Sequence, residues 1–270
     1  MKDRFEMLGR VAEGGRGIVC HARDRLLGRE VALKRPRPDA GGPSAATFLD
    51  EARQQSRLSH PNIVRVLDTG MDDEGAFIVL EWVEGETLGE LVTRRALSAD
   101  EFDSLARQAL AGIGAAHEKG ILHLDLNPEN LMLQRVADVE FRVKILDFGL
   151  ACPMASQPGA RTLGTPDRLR GSVFYMAPEQ FEDAAPDART DLYALGCVFY
   201  HALTQKCPVE GETIPQVMTA HLRHRVTPLA ALRPDLPARI VGCVEGLMQR
   251  LPASRPSSAA AALQTCQAAS

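Results

Sequence analysis

Residues His123-Leu124-Asp125-Leu126-Asn127-Pro128-Glu129-Asn130 decide how this 270-residue chain is read. Asp125 and Asn130 stand five positions apart in what reads as a loop, a spacing that lets an aspartate face a substrate hydroxyl while an amide oxygen reaches a metal. Seventeen residues further on, Asp147-Phe148-Gly149 follows the apolar run 143–146, and an aspartate at a strand end beside a phosphate site is a hard-cation ligand. Either segment alone is ordinary turn chemistry, because Asp and Asn favour turns. In this order they point together to phosphate and metal chemistry.

The surroundings fit a two-part molecule. Ser98-Ala99-Asp100-Glu101 is a capping box. The helix it opens carries Phe102, Leu105, Ala106, Ala109, Leu110, Ile113 and Ala116 on one stripe, with Gly120 placed to end it. Upstream, residues 5–11, 17–23 and 29–35 read as short strands, 47–58 as a helix, and 63–67 and 76–83 as two more strands. Residues 83–85 read as a hinge. Further helices are expected at 190–204, 213–224, 237–249 and 256–267. The expected fold is α+β and bilobal, in one domain covering 1–270: a β-rich N-lobe over 1–83 with one helix, and a larger, mainly helical C-lobe over 84–270. Such a chain places its best pocket between the lobes.

Two features of the N-lobe face that pocket. Ala12-Glu13-Gly14-Gly15-Arg16-Gly17 lies between two expected strands, where glycines let backbone N–H groups approach phosphates; a plain hairpin turn would look the same. Val31-Ala32-Leu33-Lys34 places a lysine at the inward phase of a strand. A cation there pairs with phosphates and needs a carboxylate to hold it, and Glu51 on the next helix can serve; taken singly, Lys34 reads as an edge-strand lysine.

Gly-rich loop, V-A-x-K, H-x-D-x-x-x-x-N, D-F-G and Ala177-Pro178-Glu179 occur in the order of the protein-kinase signature set. The chain resembles a Hanks-type protein kinase domain, most like bacterial serine/threonine kinases, from about residue 7 to 262. Asp191-Leu192-Tyr193-Ala194-Leu195-Gly196 matches the family's central C-lobe helix, and Arg255 the arginine that pairs with the A-P-E glutamate, here Glu179. The resemblance implies ATP as the nucleotide, Mg²⁺ with Mn²⁺ as an alternative ion, and a protein hydroxyl as acceptor. It implies that Val11, Ala12, Glu13, Gly14, Gly15, Arg16, Gly17 and Val19 cover the phosphates, and that Ala32 roofs the adenine. Leu80 falls at the gatekeeper position, with Glu81, Trp82 and Val83 as hinge. Lys34 binds the α/β-phosphates and pairs with Glu51, Asp125 is the catalytic base, Asn130 and Asp147 hold the metal, and Ser172 lies in the loop that receives the substrate residue.

Departures from the pattern are informative. Leu124 replaces the arginine that normally anchors a phosphorylated activation loop, so activity is expected to depend little on phosphorylation of Thr162 or Thr165. Asn127 stands at the catalytic position of the lysine that contacts the γ-phosphate. Arg16 at the tip of the Gly-rich loop is long enough to reach phosphate oxygens in its stead, or it is a solvent-exposed loop arginine. A pseudokinase or weakly active nucleotide-binding module also fits these departures. So does a small-molecule phosphotransferase of the aminoglycoside-kinase type, although that class lacks the A-P-E segment.

Composition narrows the remaining classes. Hydrophobic residues make up 45% and charged residues 24%, which are globular values. The net charge of −4 disfavours a general nucleic-acid binder. The longest strongly apolar run, 193–203, is too short to span a bilayer, and the first residues carry no apolar signal region. A cytoplasmic protein with six reduced, scattered cysteines and no C-x-x-C zinc pattern is expected. His117, His201, His221 and His224 read as surface or helix-packing residues, and the oligomeric state is left open.

Overall fold

A computed structural model of the chain describes residues 4–14, 17–37, 44–136, 141–148, 152–153, 171–182 and 184–267. The alternating apolar pattern of the N-terminal third folds into a five-stranded antiparallel sheet. Its strands are β1 (Phe5–Gly14), β2 (Gly17–Asp24), β3 (Arg29–Arg35), β4 (Val66–Asp72) and β5 (Gly75–Glu81), in the order β1-β2-β3-β5-β4. Side chains of period two sort onto opposite faces. Ala22, Val31, Leu33, Phe77 and Val79 pack on one face, while Ala76 and Ile78 pack on the other against Phe48 and Ala52 of helix α1 (Ala45–Ser56). The β2–β3 turn is closed by Gly28 at φ 65° and by buried Asp24, which accepts from Leu26 N at 3.1 Å and from the Arg4 guanidinium at 2.9 Å.

Most boundaries shift by a few residues from the sequence expectation, and two of the shifts have a visible cause. Helix α1 starts at Ala45 because Ser44 caps it, accepting from Thr47 N at 3.2 Å. The strand expected at 63–67 begins only at Val66, because Ile63 leaves the sheet and bridges Ile145 instead.

The C-lobe contains α2 (Leu88–Arg94), α3 (Ala99–Glu118), α4 (Pro178–Phe181), α5 (Ala188–Thr204), α6 (Ile214–Leu222), α7 (Leu229–Leu232), α8 (Ala238–Leu247) and α9 (Ala259–Gln267). The capping box of α3 forms as read: Glu101 N donates to Ser98 Oγ at 3.2 Å, and Ser98 N donates to Glu101 Oε2 at 2.9 Å. Its apolar stripe faces α5, which is buried from Thr190 to Leu203 apart from a single side chain, His201, and therefore runs through the middle of the lobe. Phe102 and Phe199 meet edge to face with centroids 5.4 Å apart, an arrangement worth about 0.5–1.5 kcal/mol beyond the area it buries.

A small sheet in the order β6-β8-β9, formed by β6 (Gly85–Thr87), β8 (Leu131–Arg135) and β9 (Phe141–Ile145), lies between the lobes' connection and the loop 123–130. β7 (Ile121–Leu122) pairs with β10 (Cys152–Pro153). Gly85 is required where β6 meets β8, since a Cβ there would lie 2.2 Å from Leu133 O. Strand β9 is stitched to the N-lobe: Val64 N donates to Ile145 O at 2.9 Å, and Ile145 N to Asn62 O at 2.8 Å. Buried Gln108 on α3 completes the junction. It accepts from Asn62 Nδ2 and Val143 N, each at 3.0 Å, and donates to Phe141 O at 3.0 Å. A polar group so buried is stable because its capacity is used.

The expectation of uniformly reduced cysteines is corrected at one pair. Cys243 of α8 and Cys266 of α9 are joined by a disulfide, their Cα atoms 4.8 Å apart where the two helices pack. Cys20, Cys197 and Cys207 are free thiols. Among the described residues, no helix is long and apolar enough to cross a membrane.

Candidate active site

The loop 123–130 is held by Asp191, a fully buried carboxylate in the first turn of α5. Asp191 Oδ2 accepts from His123 N at 2.9 Å and from His117 Nε2 at 2.8 Å, and Oδ1 accepts from Leu124 N at 2.7 Å. Burial alone pushes this carboxyl upward; the hydrogen bonds from His117 and from the His123 N–H outweigh it and leave the carboxyl below its ordinary value. His123 is equally buried. Its Nε2 faces Leu146 O at 2.8 Å and must donate, because a carbonyl only accepts, so Nδ1 is the acceptor for Asp125 N at 3.3 Å. The imidazole thus ties the loop to the strand end that carries Asp147.

Two amides lock Asp125 from its other side. Asn130 Nδ2 donates to Asp125 O at 2.7 Å, and Asn127 Nδ2 donates to the same oxygen at 3.0 Å. Asn127 Oδ1 accepts from Glu129 N at 3.0 Å, so both ends of its amide are engaged within the loop. Leu124 and Asp147 are left-handed at φ 66° and 52°, conformations that cost of order 1–3 kcal/mol each for non-glycine residues and persist where surrounding contacts over-determine them. Phe148 is buried, its ring centroid 4.6 Å from that of His123.

Across the cleft, Lys34 forms an ion pair with Asp147. The resemblance implied Glu51 as its partner; in this conformation Lys34 instead reaches the aspartate at the end of β9. Lys34 is nearly buried on β3, so its stem packs in the sheet while the ammonium emerges beside the loop. Ala32 pairs in register with Leu80, and Val31 with Glu81, so the residues that the resemblance implies as roof and hinge lie side by side. Val83 is buried. Val11 and Ala12 are exposed on β1, Glu13 and Gly14 end that strand, and Val19 is half-buried on β2. Gly17 is buried at φ 135°, and a Cβ there would lie 2.1 Å from Arg35 O, so β2 starts only with glycine. Gly15, Arg16, Gly149, Thr162 and Thr165 lie outside the described residues.

Asp147 and Asn130 suit a hard divalent cation. They offer hard oxygens, and the Asn130 amide nitrogen is used by Asp125 O, which leaves the amide oxygen as the ligand atom. A pair of protein oxygens, rather than a complete cage, matches an ion that keeps waters and shares phosphate oxygens. Among the described residues, no cluster of three or more His, Cys, Asp or Glu side chains forms a separate metal site.

The floor beyond Ser172 is equally organised. Glu179 and Arg255 form a buried two-bonded pair at 2.7 and 2.8 Å, as the resemblance implied. The remaining guanidinium donors reach Gln249 O, Arg189 O and Arg250 O, and Thr190 Oγ1 donates to Glu179 Oε1 at 2.9 Å. His221, expected at a surface or in helix packing, is fully buried: Tyr193 O–H donates to Nδ1 at 2.7 Å, and Nε2–H donates to Val173 O at 3.1 Å. Burial pushes its pKa down to about 4. Sequence reading assigned no site role to His117, Asp191 or Lys144. Asp191 had a signal, a lone carboxylate opening an apolar run.

The sequence matches the protein kinase domain family over residues 5–267. It is 37% identical over 268 residues to the serine/threonine-protein kinase pkn3 of Myxococcus xanthus, covering 96% of this chain and 48% of that protein. It is 35% identical over 268 residues to a probable serine/threonine-protein kinase PknB of Corynebacterium glutamicum (95% and 41% covered), and 32% identical over 240 residues to the serine/threonine-protein kinase PrkC of Bacillus subtilis (88% and 36%). The chain spans half or less of the length of these relatives.

Proposed function

The chain belongs to the protein kinase domain family, and on that premise we propose that it is an ATP-dependent serine/threonine-protein kinase acting on protein hydroxyls. One observation carries this reading: the Lys34–Asp147 pair stands beside a loop in which Asp125 and Asn130 are fixed to each other and to the Asp147 strand end. A bound Mg²⁺ or Mn²⁺ would supply positive charge to offset that of the phosphates. The residues of the chain supply position and charge, which is most of what phosphoryl transfer asks of a protein. Asp147 and Asn130 hold the metal. Lys34 turns its ammonium from Asp147 to the α/β-phosphates, and Glu51 on α1 stands as its second partner. The Asp125 carboxylate accepts the proton of the attacking hydroxyl. The Gly-rich turn from Val11 to Val19, with Glu13, Gly14, Gly15, Arg16 and Gly17, covers the phosphates. Ala32, Glu81 and Val83 hold the base.

The same proposal includes a single two-lobed domain divided near residues 83 and 84, a protein substrate and no nucleic acid. It includes a cytoplasmic site of action, where ATP is supplied. A nucleotide-binding module with little transfer is the second reading. The neutral amide of Asn127 favours it, because both of its ends are engaged where the family carries a lysine. Incubation with labelled ATP, Mg²⁺ and a generic protein substrate separates the two. The kinase reading expects labelled protein, and a loss of about 10²–10⁴-fold in rate for Asp125→Asn. Nucleotide binding without label transfer would establish the second reading.

A further inference from the structure

Trp82 is the single tryptophan of the chain and the first residue beyond β5, where the connection between the lobes leaves the sheet. Its indole lies face to face on the imidazole of His21, with ring centroids 3.8 Å apart and planes 10° from parallel. His21 stands on β2, opposite Ala32 of β3 in register and opposite Gly9 of β1. Its Nε2 donates to Glu30 Oε2 at 2.9 Å, since a carboxylate only accepts. The ring is therefore fixed by the sheet at its root and by Glu30 at its edge before it meets the indole. The preceding residue is tethered from elsewhere: the Glu81 carboxylate pairs with Lys144, a nearly buried lysine on β9. The side chains of consecutive residues thus reach different sheets: the Glu81 carboxylate reaches β9, and the Trp82 indole rests on β2.

We propose that His21 is a positioning residue for the nucleotide base: by clamping Trp82 it fixes the path of residues 81–83 relative to the sheet that holds Ala32, and so the width of the slot that grips the adenine. The proposal rests on the kinase reading of that slot. His21 lies on the sheet face that carries Ala32 and Lys34, and its ring is engaged by Trp82 and Glu30; a residue that acts through Trp82 should affect nucleotide affinity and leave the transfer step alone.

The single tryptophan makes the clamp observable. His21→Ala is expected to change Trp82 emission, as the indole loses its stacked partner, and to weaken Mg·ATP binding by roughly two- to tenfold, the range an aromatic pair is worth. KM for ATP should rise in the same proportion, with kcat within about twofold of wild type. His21→Phe restores a flat ring and should recover affinity. If His21→Ala does not fold, Glu30→Gln loosens the imidazole with the ring in place and should raise the Mg·ATP Kd in the same direction. Wild-type affinity in the variant that folds, or a fall in kcat at constant KM, overturns the proposal while leaving the kinase reading intact. Absence of Mg·ATP binding to the wild-type protein by calorimetry overturns the kinase reading itself, and the clamp with it.

Discussion

Removing the Glu179 side chain would leave the Arg255 guanidinium, which has no solvent-exposed side-chain surface, facing three carbonyls without its hydrogen-bonded carboxylate. Breaking a buried pair in this way costs about 3–5 kcal/mol. Calorimetry should therefore show a large fall in melting temperature for Glu179→Ala, and a melt like wild type would contradict the buried geometry. The surface pair Arg94–Glu86 offers the contrast, since an exposed ion pair is worth little and its loss should be barely visible. His221 predicts a pH effect. Burial keeps it neutral down to about pH 4, while in the unfolded chain it takes up a proton near the ordinary value of 6.5. Between those values the unfolded chain holds the extra proton, so stability falls as pH drops through the window and is regained above it. Urea midpoints at pH 5 and pH 7 should differ less in His221→Gln than in wild type.

Among the elements, α3 depends on its first turn. Ser98→Ala removes one half of the capping box and should destabilise the protein by about 1 kcal/mol, read as a shift in urea midpoint without a change in slope. This helix was legible because twenty residues give a long apolar stripe bounded by a cap and by Gly120 at φ 70°. Strand β3 was legible over the same residues, 29–35, because its turns flank it closely. Helix α2 was not, since seven residues are too few for a stripe to show. The β6-β8-β9 sheet escaped for another reason: Gly85–Thr87 pairs with residues more than forty positions away, and pairing at that distance has no local pattern. The site divides the same way. Lys34, Asp125, Asn130 and Asp147 sit in short motifs, whereas the bond from His117 to Asp191 spans 74 positions and appears only when α3 and α5 pack.

At the scale of the molecule, the lobes meet through β9 and the turn at residues 62–64, with Gln108 bolting the junction. Asp147, the metal ligand proposed above, stands two residues past the end of this shared strand, so its position responds to both lobes. Regulation should follow from the same map. Leu124 is buried and carries no charge, so the arginine anchor that the family resemblance implies for a loop phosphate is missing from the loop 123–130. Phosphatase treatment should leave the transfer rate unchanged; a collapse would show that a basic residue elsewhere does the anchoring. Asp191 explains how position 124 can differ without disturbing its neighbour. It grips peptide N–H groups, which every residue except proline carries, and it is indifferent to what hangs from them. Bearing and wiring are separate parts in this enzyme fold: a phosphate sensor can be unplugged at Leu124 while the mounting that aims Asp125 stays as it was.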